Sequence, residues 1–204
     1  MTAVNPAISV AITGASGAPY ALRLLQQLVA SGEQVYVMIS VPGQVVLSME
    51  SDLKLSGRPA EIQRLLSERF AASDGQIQVF GREEWTAPVA SGSHAPRAMV
   101  VCPCTTGTLS NIANGACSNL IDRAADVMIK EGRKLVLVPR ETPFSAIHLE
   151  NMLKLARLGV VILPPNPGFY HAPGSIDELV DFVVSRILDQ IDVSNELSPR
   201  WGRS

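Results

Sequence analysis

The residues able to do chemistry sit just after short apolar runs. Thr13, Gly14, Ala15 and Ser16 close the first run, and Ser40 closes the second. Pro103, Cys104, Thr105, Thr106, Gly107 and Thr108 follow the fourth, Pro139, Arg140, Glu141 and Thr142 the fifth, and PPNPGFYH at 164–171 the sixth. Hydroxyls and the open backbone amides of helix N-termini suit a phosphate monoester, because unsatisfied N–H groups and the helix dipole both favour an anion. Arg140 on the same edge adds charge-assisted bonding of the kind that pairs with phosphate oxygens. Any one Ser or Thr here also reads as an ordinary N-cap, whereas the whole set favours a phosphate-bearing ligand.

Other motifs exclude more than they assign. A dinucleotide turn needs three spaced glycines and only Gly14 and Gly17 stand here, while a P-loop needs Gly-Lys-Ser/Thr and no lysine precedes Lys54. A nucleophile elbow would centre on Ser16, but its last position is Ala18. Arg123, Asp126 and Lys130 share one helix face, and spacing alone reads them as a solvated ion-pair ladder. Glu50 ends a helical stretch and is mute by itself. His94, His148 and His171 lack metal spacing and read as surface or capping residues. Cys102, Cys104 and Cys117 are odd in number and too tight for a zinc pair, so they read as small buried hydrophobes without disulfides.

The elements that must position these residues are legible as alternating patterns. Six apolar runs too short for helices, at 8–13, 35–39, 77–80, 98–102, 134–138 and 160–163, lack polar alternation and predict strands buried on both faces of a parallel sheet. Helix-period segments at 18–31, 42–50, 59–71, 106–114, 118–130, 145–158 and 175–190 lie between them, which predicts a doubly wound α/β sheet with right-handed crossovers. In such sheets ligands bind beyond the carboxyl ends of the strands, where the chemistry-bearing residues fall. Gly32 and Gly159 stand where helices end, and Ser175 with Glu178 fits a capping box. Residues 81–97 form a polar connection long enough to be a functional loop.

With 204 residues, 47% hydrophobic and 18% charged, the chain suits one domain over 1–191, followed by a tail or arm at 192–204 that loses periodicity. A net charge of -2 gives no electrostatic footprint for nucleic acid. No apolar stretch approaches the roughly 20 residues of a membrane span, and the N-terminus lacks a positive leader region, so the expectation is a cytoplasmic protein without membrane contact.

The segments GASGAPYALRLL, Ser40 at the second strand end, CPCTTGTLSNIANG, NLIDRAADVMIKEGRKLVLVPRETPF, PPNPGFYH and SRILDQ together resemble the UbiX-type (UbiX/Pad1-like) flavin prenyltransferases, formerly described as aromatic-acid decarboxylases. The resemblance runs from about residue 8 to the tail. It implies a flavodoxin-like (Rossmann-like) doubly wound parallel sheet in three αβα layers, assembled as a homododecamer with flavin sites between subunits. It also implies the activity: reduced FMN takes the dimethylallyl group of dimethylallyl monophosphate at N5 and closes a fourth ring at C6. The prenylated FMN would serve a separate UbiD-type decarboxylase, in ubiquinone biosynthesis or aromatic degradation.

Carried over by position, Gly14, Ala15, Ser16, Ser40, Thr105, Thr106, Gly107, Thr108 and Arg140 match FMN-contacting residues. Arg123, Lys130, Tyr170 and Arg186 match the prenyl-phosphate pocket, and Glu50, Glu141 and Trp201 match other active-site positions. The resemblance thus turns the ladder reading of Arg123 and Lys130 into two cations for a departing phosphate. Ser16 would lie near N5, and Glu141 would relay the C6 proton to the phosphate. Trp201 or the Phe169–Tyr170 pair would shelter the allylic cation. A cation cluster can stand in for Mg²⁺, and no D-D-x-x-D run is present, so metal-independent catalysis is expected. Two rivals are weaker. The first is a flavin-dependent decarboxylase, either of the cysteine-decarboxylase group or acting directly on an aromatic acid such as hydroxybenzoate; the cysteine decarboxylases use an early histidine, and none precedes His94. A non-catalytic flavin-binding or assembly protein would not need the cation cluster.

Overall fold

All six apolar runs form strands, and their lack of alternation has the expected cause: helices cover the sheet on both sides. The structure is a computed structural model and describes residues 7–55, 57–200 and Gly202. Strands β1 (Ile8–Ile12), β2 (Val35–Ile39), β3 (Ile77–Phe80), β4 (Ala98–Cys104), β5 (Lys134–Pro139) and β6 (Val161–Ile162) are all parallel, in the order β3-β2-β1-β4-β5-β6. Every residue of the central strands β1 and β4 is buried. Strand order reverses between β1 and β4, and a crevice opens at that switch point beyond the carboxyl ends.

Among the described residues, six helices lie in the crossovers, α1 (Ala18–Ala30), α2 (Val41–Glu50), α3 (Pro59–Phe70), α4 (Thr106–Ala113), α5 (Leu120–Lys130) and α6 (Ala146–Arg157), and α7 (Ile176–Gln190) follows the last strand. The strand side chains divide with a period of two. Val10, Val37, Val100 and Val136 pack with α1, α3 and α7 on one face. Ala11, Met38, Val101 and Leu137 pack with α4, α5 and α6 on the other. This gives the three αβα layers of a flavodoxin-like fold, and it sets α5 and α7 on opposite faces of the sheet.

Helix boundaries follow local chemistry. Ser40 accepts the Gly43 N–H at 3.0 Å, Thr105 accepts the Thr108 N–H at 3.1 Å, and Asn119 accepts those of Ile121 and Asp122 at 2.9 and 3.1 Å. Because Asn119 is a cap, α5 begins at Leu120 and not at 118. His148 and Ser145 form a reciprocal capping box, so this histidine is a cap as expected. The Ser175 hydroxyl accepts the Glu178 N–H, but the Glu178 carboxylate reaches back to the N–H of Gly174 and the hydroxyl of Ser175, not to the N–H of Ser175. Gly32 and Gly159 close α1 and α6 with φ of 74° and 84°. The loop at 81–97 holds two short 3₁₀ turns, Pro88–Ala90 and Gly92–His94, and plants Val89 in the core beneath α5.

Cys102 and Cys104 are fully buried, as read, whereas Cys117 is exposed between α4 and α5, contrary to the buried reading; all three are free thiols. Past Asp192 the chain is strapped down: Val193 joins the core and Asn195 and Arg200 bond to Asp189.

Gly14 is demanded by packing, since a Cβ there would stand 2.3 Å from Pro42 Cβ in the first turn of α2. Gly14→Ala is therefore expected to cost about 2 kcal/mol of unfolding free energy by forcing α2 outward. Gly107→Ala is the control, because its Cβ would meet nothing nearer than Thr105 Oγ1 at 3.9 Å. Urea titration of both variants checks the contrast, and equal stability of the two would refute it.

Candidate functional site

At the switch point a cleft of about 300 Å³ is lined by Thr13, Gly14, Ser40, Val41, Thr105, Thr108, Arg82 and Asn119 among others. The N-termini of α2, α4 and α5 all reach its wall. Ser40 takes the Gly43 amide of α2, where Pro42 has none, Thr105 takes the Thr108 amide of α4, and Asn119 with the Arg82 carbonyl takes the Leu120, Ile121 and Asp122 amides of α5. Val41, Thr106 and Gly107 are the open first-turn donors, and all three positive dipole ends meet at one cleft. Thr13 fixes this floor: its Oγ1 donates to the Pro103 carbonyl and accepts the Thr105 N–H, each at 2.8 Å, which ties the end of β1 to the turn into α4. Behind Asn119 and Arg82 lies Asp122, only 1% exposed, accepting from Asn111 and Asn119 at 3.0 and 2.8 Å. Burial pushes the Asp122 carboxyl up, against the pull of Asn111, the Ser118 backbone and the Arg82 charge. Converging helix ends plus a guanidinium are the donor set of a phosphate monoester, so the cleft fits the phosphate of a mononucleotide.

Beside the cleft, Glu50, Ser16 and Arg140 form one cluster. Glu50 ends α2, but its Oε2 accepts the N–H groups of Gly17 and Ala18, the first amides of α1, at 2.9 and 2.8 Å. The Ser16 hydroxyl bonds to the same carboxylate, and Arg140 Nε donates to the Ser16 carbonyl at 3.0 Å. Partial burial raises the Glu50 carboxyl, but the Ser16, Gly17 and Ala18 bonds and the Arg140 charge outweigh it and hold it below the usual range. The anion at the α1 N-terminus is thus the protein's own, which leaves the cleft as the place for a ligand phosphate. Ser16 is exposed and oriented from two sides. Gly17 makes the turn possible, with φ of 136°.

Gly14, Ser40, Thr105 and Thr108 therefore line the cleft, Thr106 and Gly107 open α4 at its wall, and Ala15, Ser16 and Arg140 adjoin it. The capping reading also holds for Ser40 and Thr105, whose side-chain oxygens are committed to their own helices. Glu141 follows Arg140 and faces Pro164, Pro165 and Asn166 across a hollow of about 390 Å³. Tyr170 packs edge-on against Phe182 with ring centroids 5.8 Å apart, one turn of α7 before Arg186, so both phosphate-pocket candidates belong to the α7 side of the sheet. Phe169 and Tyr170 are 68% and 57% exposed.

Arg123 and Lys130 are elsewhere. Arg123 donates to the Ala90 carbonyl at 3.2 Å and pairs with Asp126 at 2.8 Å, while Lys130 pairs with Glu131. Both ride on α5, across the sheet from α7, so one chain does not bring them to Tyr170 and Arg186. Trp201 lies outside the described residues. Arg82 and Asn119 escaped the sequence reading. Arg82 follows the third strand at the same edge as the others, and the edge rule applied to that strand finds it; Asn119 was concealed by placing the helix start at 118. Among the described residues no group of three or more His, Cys, Asp and Glu is placed to hold a metal ion, and no helix is long and apolar enough to cross a membrane.

Comparison with known proteins bears on this geometry directly. Residues 2–188 match the Flavoprotein family. The chain is 58% identical over 195 residues to the flavin prenyltransferase UbiX of Pseudomonas aeruginosa, covering 96% of this chain and 93% of that one. It is 48% identical over 202 residues to the flavin prenyltransferase UbiX of Halalkalibacterium halodurans, covering 99% and 96%. The crystal structure of AnUbiX (PadA1), in complex with FMN and dimethylallyl pyrophosphate, superposes with a TM-score of 0.86 at 40% identity, over 98% of this chain and 99% of that one. A dodecameric FMN-dependent UbiX-like decarboxylase from Escherichia coli O157:H7 superposes with a TM-score of 0.85 at 38% identity, over 96% and 99%. The fold, the cleft at the switch point and these likenesses agree, and the chain belongs to the UbiX flavin prenyltransferases of the Flavoprotein family.

Proposed function

We propose that this chain is a transferase that joins the dimethylallyl group of a dimethylallyl phosphate to N5 and C6 of reduced FMN. The observation that carries this reading is the cleft in which three helix N-termini and Arg82 converge beside a Ser16 fixed by Glu50 and Arg140. Bound there, the reduced flavin supplies two nucleophilic positions, N5 and C6. The first turns of α2 and α4 hold its phosphate, with the positive end of α5 and Arg82 adding charge. Ser16 presents its hydroxyl toward the reacting ring edge, and the Glu50 and Arg140 bonds keep it there.

Ionising an allylic phosphate concentrates negative charge on the leaving group. Arg123, Lys130, Arg186 and the Tyr170 hydroxyl stabilise that charge more in the transition state than in the ground state. These donors replace a metal in this reading. Glu141 takes the proton lost from C6 and passes it to the departed phosphate. Phe169 and Tyr170 shield the allylic cation from water, with Trp201 proposed as a third wall. Because α5 and α7 lie on opposite faces, the pocket is completed between copies of the chain, in keeping with a homo-oligomer and, more finely, a dodecamer. The product would pass to a UbiD-type decarboxylase in the cytoplasm, as in ubiquinone biosynthesis.

The purified protein is incubated anaerobically with reduced FMN and dimethylallyl monophosphate or diphosphate, with and without a chelator, and the flavin is weighed by mass spectrometry. A gain of one five-carbon prenyl unit, unaffected by the chelator, is the expected result. An unchanged flavin with both donors overturns the reading. In the same system Arg82→Ala is expected to weaken FMN binding about 10-fold in a fluorescence titration, as befits one lost charge-assisted bond. An unchanged Kd would take Arg82 out of the phosphate site.

A further inference from the structure

Arg186 shares its counter-ion. Asp189, one turn further along α7 and with a side chain 18% exposed, takes one bond from Arg186, NH1 to Oδ2 at 2.7 Å. Arg200, reaching back from the strapped tail, takes both oxygens, NH1 to Oδ2 at 2.6 Å and NH2 to Oδ1 at 2.8 Å. Asn195 adds a fourth bond to Oδ1 at 3.2 Å. The two arginines line a common open hollow of about 920 Å³. Burial lifts the Asp189 carboxyl, but the Arg200 bond and charge come next and, with Asn195 and Arg186, bring it below the usual range.

A half-buried carboxylate keeps its partners, and the fork-on-fork Arg–carboxylate pair is the strongest arrangement open to it. Here that fork belongs to Arg200. Arg186 spends one of its five N–H donors on Asp189 and keeps the rest. We infer that Arg200 is a positioning residue for the prenyl donor: by holding both oxygens of Asp189, it stops that carboxylate from taking Arg186 face on and leaves the Arg186 guanidinium to the phosphate. The inference rests on Arg186 being a donor-phosphate contact. It makes the tail a participant in substrate binding through a salt bridge, with no contact between Arg200 and substrate required. Without Arg200, Asp189 recaptures Arg186, and an incoming phosphate must first break a bidentate ion pair.

Steady-state prenylation by the full-length protein tests this with four variants: Arg186→Ala, Arg200→Gln, Arg200→Lys, and Asp189→Asn combined with Arg200→Gln. Arg200→Gln is expected to raise the KM for dimethylallyl monophosphate about 10-fold with a much smaller change in kcat, the signature of lost ground-state binding. Arg200→Lys keeps the charge but not the fork, and should show most of the same rise. Removing the Asp189 charge as well should return KM to within about threefold of wild type, because nothing is then left to recapture Arg186. Three results overturn the inference: an Arg200→Gln KM like wild type, an Arg200→Lys KM like wild type, which would assign the effect to net charge, or a double variant as impaired as the single, which would assign it to tail anchoring. A wild-type enzyme that prenylates no flavin, or an Arg186→Ala variant with unchanged donor KM, fails the underlying reading instead and is recognised separately.

Discussion

Lys130→Ala and Arg186→Ala are each expected to lose at least about 100-fold in kcat/KM, and a mixed assembly of the two to regain activity. The first half follows from removing one preorganised cation from a site that stabilises a departing phosphate. The second follows from layers: Lys130 ends α5 on one face of the sheet, while Arg186 lies on α7 on the other. A pocket that uses both draws them from different copies. When equal amounts of the two variants are dissociated and reassembled, about a quarter of the sites receive both intact residues by chance. Activity near that share of wild type supports a pocket completed between chains. Activity no greater than the average of the two parents would mean that the two residues do not meet at one phosphate.

Glu50→Ala should be the most damaging single change near Ser16, because one carboxylate serves both a helix and a reacting group. It removes two amide bonds at the start of α1 and the hydroxyl bond that aims Ser16. A loss of about 1 kcal/mol in unfolding free energy, typical of a removed cap, is expected alongside a fall in kcat of about 100-fold. The native carboxyl is held below its ordinary range. Its charge-dependent stabilisation is therefore complete above the unfolded value, near about 4.3, and is lost as pH falls through the native value. Glu50→Gln keeps an acceptor oxygen without the charge and should flatten that acid dependence while retaining part of the cap. Denaturant titrations at neutral pH and near pH 3 read the difference. Identical acid profiles for Glu50→Gln and wild type would remove the carboxylate's charge from the account.

How much of this was legible in the sequence depends on whether the cause is local. The six strands were, because burial on both faces writes itself as an unbroken apolar run, and the cleft-lining Ser40 and Thr105 were, because caps sit at fixed offsets from the helices they start. Glu50 was not. A carboxylate at the last turn of its own helix opposes that helix's dipole, which makes the position look unfavourable. Its partner is the N-terminus of a different helix, 32 and 33 residues earlier in the chain, where the same charge is favourable. The separation of Arg123 and Lys130 from Arg186 was equally hidden. Periodicity says that a helix buries one face but not which side of the sheet it covers, so one list of cations read as a cluster until the layers divided it.

The sheet also determines how copies can join. Its β6 margin is only two residues long and runs into Pro164 and Pro165, which have no N–H to offer an incoming strand. At the opposite margin the Val79 N–H of β3 is already taken by the Gln63 side chain at 3.1 Å. Both rims thereby disfavour open-ended strand-by-strand growth. That bias favours association through the helical exteriors, the mode by which copies close into a finite assembly instead of a fibril.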